Sequence, residues 1–275
     1  MRVLISADME GVTGVTCPED VKPGSARWEY FRVLLTADVN AAVDGFIAAG
    51  ADEVIVNEAH ANKRNLLLTQ LDPRCAAIVG THKALGMMEG IDSGVHAVAF
   101  VGYHAGAGRQ GVLSHTFIGT TLLDVRINGV SSSEGRMNAL LAGEFGVPVV
   151  LVTGDDLTCA DAAEYAPAAQ RVAVKRCVDR YTAVCLPPAR TADLIRAGAA
   201  AAQRSLGRLE PRRGPYTYEV DFDATQPVAA CTGVPGVRQT GERTVSFTLP
   251  TMAEAIRCFR VLTVLASASV EPGYG

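Results

Sequence analysis

The sequence predicts an α/β protein: a largely parallel sheet flanked by helices, followed by a smaller α+β part. Three observations predict it. Short apolar runs of strand length alternate with longer stretches whose apolar residues recur at helical spacing. Three of the apolar runs stop at polar residues that can carry chemistry. After about residue 175 the pattern shifts to alternating, half-exposed strands and Pro-broken loops. The expected division is therefore 1–175 for an α/β core and 176–275 for the smaller part.

Val3 to Ala7 is an apolar run ending in Asp8. From Ser25 to Ala49 there is no Pro, and Trp28, Phe31, Leu35, Val39, Ala42 and Phe46 form a helical stripe that Gly50 closes. Glu53 to Asn57 reads as a second strand and Ala76 to Val79 as a third. Val95 to Tyr103 is an apolar strand running into His104. Leu113 to Asn128 is rich in β-branched residues and ends in the turn signal Asn128-Gly129, so a strand opened by His115 is expected there. Glu134 to Phe145 reads as helix, Val149 to Thr153 as a buried strand, and Asp155 to Tyr165 as helix. Beyond Pro187-Pro188 come an Ala-rich helix from Thr191 to Leu206 and a basic loop from Leu209 to Pro215. Alternating strands at Tyr216 to Phe222 and Thr244 to Thr248 and a closing helix from Met252 to Ala266 complete the pattern.

Composition narrows the function classes. With 275 residues, 48% of them hydrophobic, the chain can bury a substantial core. A net charge of -4 and the lack of any long basic run disfavour nucleic acid as a partner. No apolar run has the length of a membrane span, and Arg2 followed by a short apolar run and two acids is not a signal peptide, so a cytoplasmic protein without membrane contact is expected. The 7 cysteines are scattered and form no C-x-x-C pair, which points to free core thiols rather than disulfides or a Cys-rich zinc site.

The strand ends carry the chemistry. Asp8 and Glu10 follow the first strand, His60 the second, and His104 the Val95 strand. In an open parallel sheet all carboxyl ends lie on one edge, where ligands bind, so three distant segments can converge on one crevice. Asp8 and Glu10 are spaced i, i+2, which directs both side chains to one side of an extended chain. Carboxylates and imidazoles together suit zinc, manganese or cobalt, and a carboxylate can bridge two ions. Against this, Asp8 could simply cap a turn. His82 and His96 occupy no strand end. Glu134 has two readings: a ligand, or the N3 member of a capping box Ser131-Ser132-Ser133-Glu134 with Ser131 as N-cap. Gly102 to Gly111 lacks the Lys and Ser/Thr of a phosphate loop. Asp155-Asp156 fits a site as well as it fits an acid-rich helix start.

Ser6-Ala7-Asp8-Met9-Glu10-Gly11 resembles the opening signature of the zinc D-aminopeptidase family typified by the bacterial dipeptide-transport-associated enzyme. The resemblance continues in order through Asn57-Glu58-Ala59-His60, Met88-Glu89-Gly90, Gly102-Tyr103-His104-Ala105, Ser114-His115, Ile127-Asn128-Gly129, Glu134, Asn138-Ala139 and Gly154-Asp155-Asp156. It implies a dinuclear zinc aminopeptidase that releases N-terminal D-residues, chiefly D-Ala, from short peptides. It also implies a homo-oligomer built as a ring, such as a decamer. Carried over residue by residue, Asp8 bridges two zinc ions, while Glu10, His60, His104 and Glu134 complete their shells. His115 is the catalytic residue. Two departures touch the substrate pocket more than the metals: Glu58 stands where the family has Asp, and Ser133 where a Gly usually precedes the metal Glu. The competing readings are a dinuclear phosphoesterase, which predicts arginine at the site and has only Arg109 nearby in sequence, and a non-catalytic metal-binding assembly module.

Overall fold

The computed structural model describes residues 1–202, 207 and 209–271. In chain order the elements are β1 (Arg2–Ala7), α1 (Pro18–Val21), α2 (Ala26–Ala48), β2 (Glu53–Glu58), β3 (Cys75–Ile78), β4 (Ala97–Val101), β5 (Leu122–Ile127) and β6 (Val130–Ser131). There follow α3 (Glu134–Glu144), β7 (Val149–Asp155), α4 (Asp156–Tyr165), β8 (Gln170–Asp179), β9 (Thr182–Cys185) and α5 (Pro188–Ala201). The chain closes with β10 (Tyr216–Phe222), α6 (Gln226–Cys231), β11 (Arg238–Gly241), β12 (Thr244–Leu249) and α7 (Met252–Ala268). No helix among the described residues is long and apolar enough to cross a membrane.

Seven strands form the main sheet in the order β3-β2-β1-β4-β7-β8-β9. All its pairings are parallel except β8 with β9. Strand order reverses direction between β1 and β4, so the crevice for a ligand lies beyond their carboxyl ends. The register is level there: Ala7 pairs with Glu58 on one side and Val101 on the other. The expected α/β architecture with a largely parallel sheet is thus the observed one.

Helix α2 covers one face of this sheet. Ser25 caps it by accepting the Trp28 N–H at 2.9 Å, and Trp28, Phe31, Leu35, Val39, Ala42 and Phe46 are buried as their spacing predicts. Gly45 sits mid-helix because α5 crosses there: a Cβ on it would lie 2.4 Å from the Arg196 carbonyl oxygen. The helix expected over Thr191 to Leu206 is seen as α5, and residues 203–206 lie outside the described ones.

A second sheet, antiparallel, has the order β11-β12-β10-β5-β6. Strand β10 alternates strictly between buried and half-buried residues, the signature of one face on a core. That core receives Phe259 from α7, whose ring packs against Tyr218. Asn128 and Gly129, both at positive φ, make the β5–β6 turn that their dipeptide predicts.

Three expectations need correction. The strand expected from Leu113 is limited to β5; residues 113–121 are irregular, with Leu113 and Phe117 at positive φ. Their N–H groups bond singly, Leu113 to the Arg180 carbonyl and His115 to the Ala105 carbonyl, instead of in a ladder. The N-cap of α3 is Ser133, not Ser131, because Ser131 is held in β6 opposite Arg126. Of the cysteines only Cys231 is buried, and Cys185 is exposed; all are free thiols.

Candidate metal centre

Asp8, Glu10, His60, His104, His115 and Glu134 line one cavity of about 240 Å³ at the carboxyl edge of the parallel sheet. The loop after β1 is pressed against the one after β4. Asp8 N–H donates to the Val101 carbonyl and Gly11 N–H to the Gly102 carbonyl, both at 2.8 Å. A Cβ on Gly11 would lie 1.9 Å from the Tyr103 carbonyl oxygen, so only glycine permits this approach.

Asp8 is central. Its Oδ1 lies 3.5 Å from His60 Nδ1 and its Oδ2 3.4 Å from His104 Nε2. Glu10 Oε2 is 3.1 Å from His60 Nδ1, and Glu134 Oε1 is 3.5 Å from His104 Nε2. His115 Nε2 stands 3.9 Å from Glu10 Oε1, and its ring stacks on that of His104 at 4.2 Å.

Each imidazole is oriented by a backbone carbonyl, which can only accept. His60 Nε2–H donates to Val21 at 2.8 Å, His104 Nδ1–H to Ala105 at 3.0 Å, and His115 Nδ1–H to Leu113 at 2.8 Å. In all three rings the other nitrogen therefore faces the carboxylates, the arrangement in which histidine presents a lone pair to a cation. Three ligand groupings result: Asp8–Glu10–His60, Asp8–His104–Glu134 and Glu10–His104–His115. The His60 and His115 side chains are 11% and 17% exposed and His104 only 2%, so His104 is the most deeply buried of the three.

The electrostatics are those of a cation site holding protons. Burial alone would raise Asp8, but His104 and His60 outweigh it and hold the carboxylate well below its usual range. Burial likewise works against Glu10, yet the His60 charge leaves it lowered. Burial depresses His104, but Glu134 and Asp8 push it up to about 10, and His60 is raised the same way by Glu10 and Asp8. Burial, reinforced by Asp8, raises Glu134. Asp8 Oδ2 and Glu10 Oε2 are nevertheless buried without a hydrogen bond among the described residues. Oxygen atoms in that position fit a metal ion.

Glu134 is the first residue of α3, not the third, so it closes no capping box. Its Oε1 instead accepts the Phe117 N–H at 2.7 Å. Asp155 takes the cap reading: it is the N-cap of α4, accepting Thr158 N–H, and also accepts Val112 N–H. Glu58 points away from the cavity, accepting N–H groups of Asn65 and Leu66 and thereby fastening the His60 loop. His82 and His96 are both exposed, and neither lines the cavity. Arg109 lines a different cavity.

Lys63, Met87 and Phe117 also line the site and carry no sequence signal of it. Lys63 Nζ bonds to the Ala59 carbonyl, and burial lowers its pKa despite the nearby carboxylates. Lys175, equally unmarked, is buried and donates to the carbonyls of Glu10, Val12 and Val15 at 2.7–2.9 Å, fixing the loop that carries Glu10.

A family model, Peptidase M55 (D-aminopeptidase), matches residues 1–261. The chain belongs to the D-aminopeptidase family. It is 32% identical to the D-aminopeptidase of Bacillus subtilis (strain 168) over 272 residues, 97% of this chain and 98% of that one. It also superposes with a TM-score of 0.93, at 32% identity, on the solved structure of Zn-dependent D-aminopeptidase DppA from Bacillus subtilis, described as a self-compartmentalizing protease. That match covers 98% of this chain and 100% of the other. The chain is thus a peptidase of a hydrolase family, as its motifs imply, and its mixed fold is that of this relative.

Proposed function

We propose that this D-aminopeptidase is a dinuclear zinc enzyme that removes an N-terminal D-residue of D-Ala type from short peptides, in the cytoplasm and as a ring-shaped homo-oligomer such as a decamer. One observation supports the metal reading most: three imidazoles, each tied to a carbonyl through one nitrogen, turn the other toward carboxylate oxygens, two of which lack partners. The donor spacing is compatible. A tetrahedral shell with ~2.1 Å bonds separates its donor atoms by ~3.4 Å, and the nitrogen–oxygen distances from His60 and His104 to Asp8, Glu10 and Glu134 are 3.1–3.5 Å. Asp8, Glu10 and His60 would hold one ion and Asp8, His104 and Glu134 the other.

Zinc, when bound, would polarise the scissile carbonyl and acidify the attacking water. The chain's own residues do the rest. Phe117 and Met87 wall the cavity with apolar surface that limits water. The Leu113 carbonyl fixes the His115 tautomer, leaving Nε2 bare, facing the cavity, able to accept a proton and later return it to the leaving amine. The ring-shaped assembly is supported by the self-compartmentalizing character of the Bacillus subtilis relative.

A phosphoesterase would need cations for phosphate, and among the described residues the cavity lining contains Lys63 but no arginine. A metal-holding module without turnover is disfavoured by membership of a peptidase family. The test is to load the protein with zinc, count ions per chain, and assay D-alanyl peptides, their L-counterparts and an aryl phosphate with and without chelator. Two ions and chelator-sensitive cleavage of the D-peptide are expected. No more than one ion overturns the dinuclear assignment, and phosphate release without peptide cleavage overturns the aminopeptidase one.

A further inference from the structure

Beside the metal cavity lies a larger one of about 500 Å³, and His115 is a wall of both. Its other walls are the 107–111 loop, Leu122 and Leu123 at the start of β5, Leu157 of α4, and the turn from β8 into β9. Its two cations are Arg109 and Arg180, which come from separate segments. Neither guanidinium has an ion pair or hydrogen bond to a protein group among the described residues; Arg180 only lies 5.7 Å from the Tyr181 ring centre. The one acid in the lining, Asp179, already accepts the Arg180 backbone N–H at 2.7 Å.

The two cavities thus meet at His115. The larger one offers two guanidinium groups with no protein partner among the described residues, while the cavity that would hold zinc carries Asp8, Glu10, Glu134 and Lys63. When the N-terminal bond of a short peptide is cut at the metal side, the rest of the peptide, ending in a carboxylate, lies on the leaving-group side of that bond. The geometry points to the larger cavity as the leaving-group subsite, in which Arg109 and Arg180 receive the α-carboxylate of a short peptide. This rests on the aminopeptidase reading and adds to it a reason for preferring short substrates. An extended chain advances only ~3.3–3.6 Å per residue, so a fixed cation pair selects peptides by length. Leu122, Leu123 and Leu157 supply the apolar surface for the side chains between. Guanidinium suits this role because its fork matches a carboxylate.

The experiment uses the zinc-loaded full chain with D-alanyl di- and tripeptides, each as free acid and as C-terminal amide. The parent protein is expected to favour the acid over the amide in kcat/KM by on the order of tenfold or more, with the difference residing in KM. In the R109Q/R180Q double variant that preference should fall to about one. Zinc content of the variant shows whether the metal centre has survived, and both side chains are exposed, so folding is not at stake. A parent that cleaves acid and amide alike overturns the subsite and leaves the aminopeptidase standing. A preference that survives both substitutions does the same. A parent that cleaves no peptide at all overturns the aminopeptidase reading and the subsite with it.

Discussion

The carboxyl edge of the parallel sheet and the antiparallel layer are built from different materials. The layer's interior is apolar: Tyr218, Val220, Phe222, Val245, Phe247 and Phe259 are all buried. The edge is fastened by buried charge. Lys83 donates to Asn57 Oδ1 and to the carbonyls of Glu58 and Ile78, Lys175 to the carbonyls of Glu10, Val12 and Val15, and Asp38, Glu58 and Asp155 accept loop N–H groups. Strands satisfy their backbone in a ladder and need only apolar cover. Loops that hold ligand atoms in irregular positions have no ladder, so side chains must satisfy their backbone. Activity, metal binding and pH sensitivity should therefore reside at the edge, and bulk stability in the layer.

The largest expected effects are at the edge. His104→Ala should lose both zinc and detectable turnover while circular dichroism stays that of the parent, because no ladder bond depends on it. His115→Ala should keep its zinc and lose on the order of a hundredfold or more in turnover, as removal of a proton-transfer group does. Metal analysis beside kinetics on the two purified variants separates these outcomes. Zinc loss in His115→Ala would assign that residue to the Glu10–His104–His115 grouping as a ligand.

The complementary change lies in the layer. Phe259 is fully buried and meets Phe117, a residue of the metal cavity, edge to face at 5.1 Å. Phe259→Ala should cost ~3–5 kcal/mol in urea unfolding and leave zinc stoichiometry unchanged. If instead it releases zinc at unaltered stability, the two regions are one unit, joined through Phe117 and its bond to Glu134.

What the sequence revealed follows the same divide. Periodicity is local, so β1, β2, α2, β10, β12 and α7 were legible. The rule that parallel strands share a carboxyl edge sufficed to collect Asp8, Glu10, His60 and His104. The hairpin β8–β9 was not legible, because an exposed edge pair such as Arg176 opposite Val184 alternates too weakly. Three consecutive serines could not reveal which one caps α3; pairing of Ser131 with Arg126 across the sheet decides it. Lys63, Lys175 and Asp38 escaped for a stronger reason: each acts on a segment brought near only by the folded chain.

Asp38 gives the smallest and sharpest test. It leaves α2 to accept the Thr13 N–H at 3.0 Å and lies 2.9 Å from Thr13 Oγ1, in the loop just beyond Glu10. Thr13 Oγ1 is also 2.8 Å from Thr191 Oγ1, which in turn lies 3.0 Å from the Pro188 carbonyl. Each hydroxyl has one proton. If Asp38 is ionised, Thr13 donates to it, and the single Thr191 proton faces two acceptors, Thr13 Oγ1 and the Pro188 carbonyl, so one of these two contacts is left without a proton. If Asp38 is protonated, it donates to Thr13, Thr13 to Thr191 and Thr191 to Pro188, and the chain is complete. Burial, only partly offset by the Thr13 bonds and the charge of Lys175, raises Asp38 from 3.8 to about 6. A carboxyl raised on folding contributes stability that is fully present below its unfolded value and is lost as pH rises through the folded one. The parent should therefore lose up to ~3 kcal/mol between pH 4 and 6 from this group. Asp38→Asn mimics the protonated form, since its amide can donate to Thr13 while its oxygen keeps the Thr13 N–H. Across that range the urea midpoint of the parent should fall relative to that of the variant, which should be the more stable of the two at pH 7. Equal pH slopes in both proteins would show that the loop tolerates the ionised carboxylate, and that buried charge at the edge is not where this pH sensitivity lies.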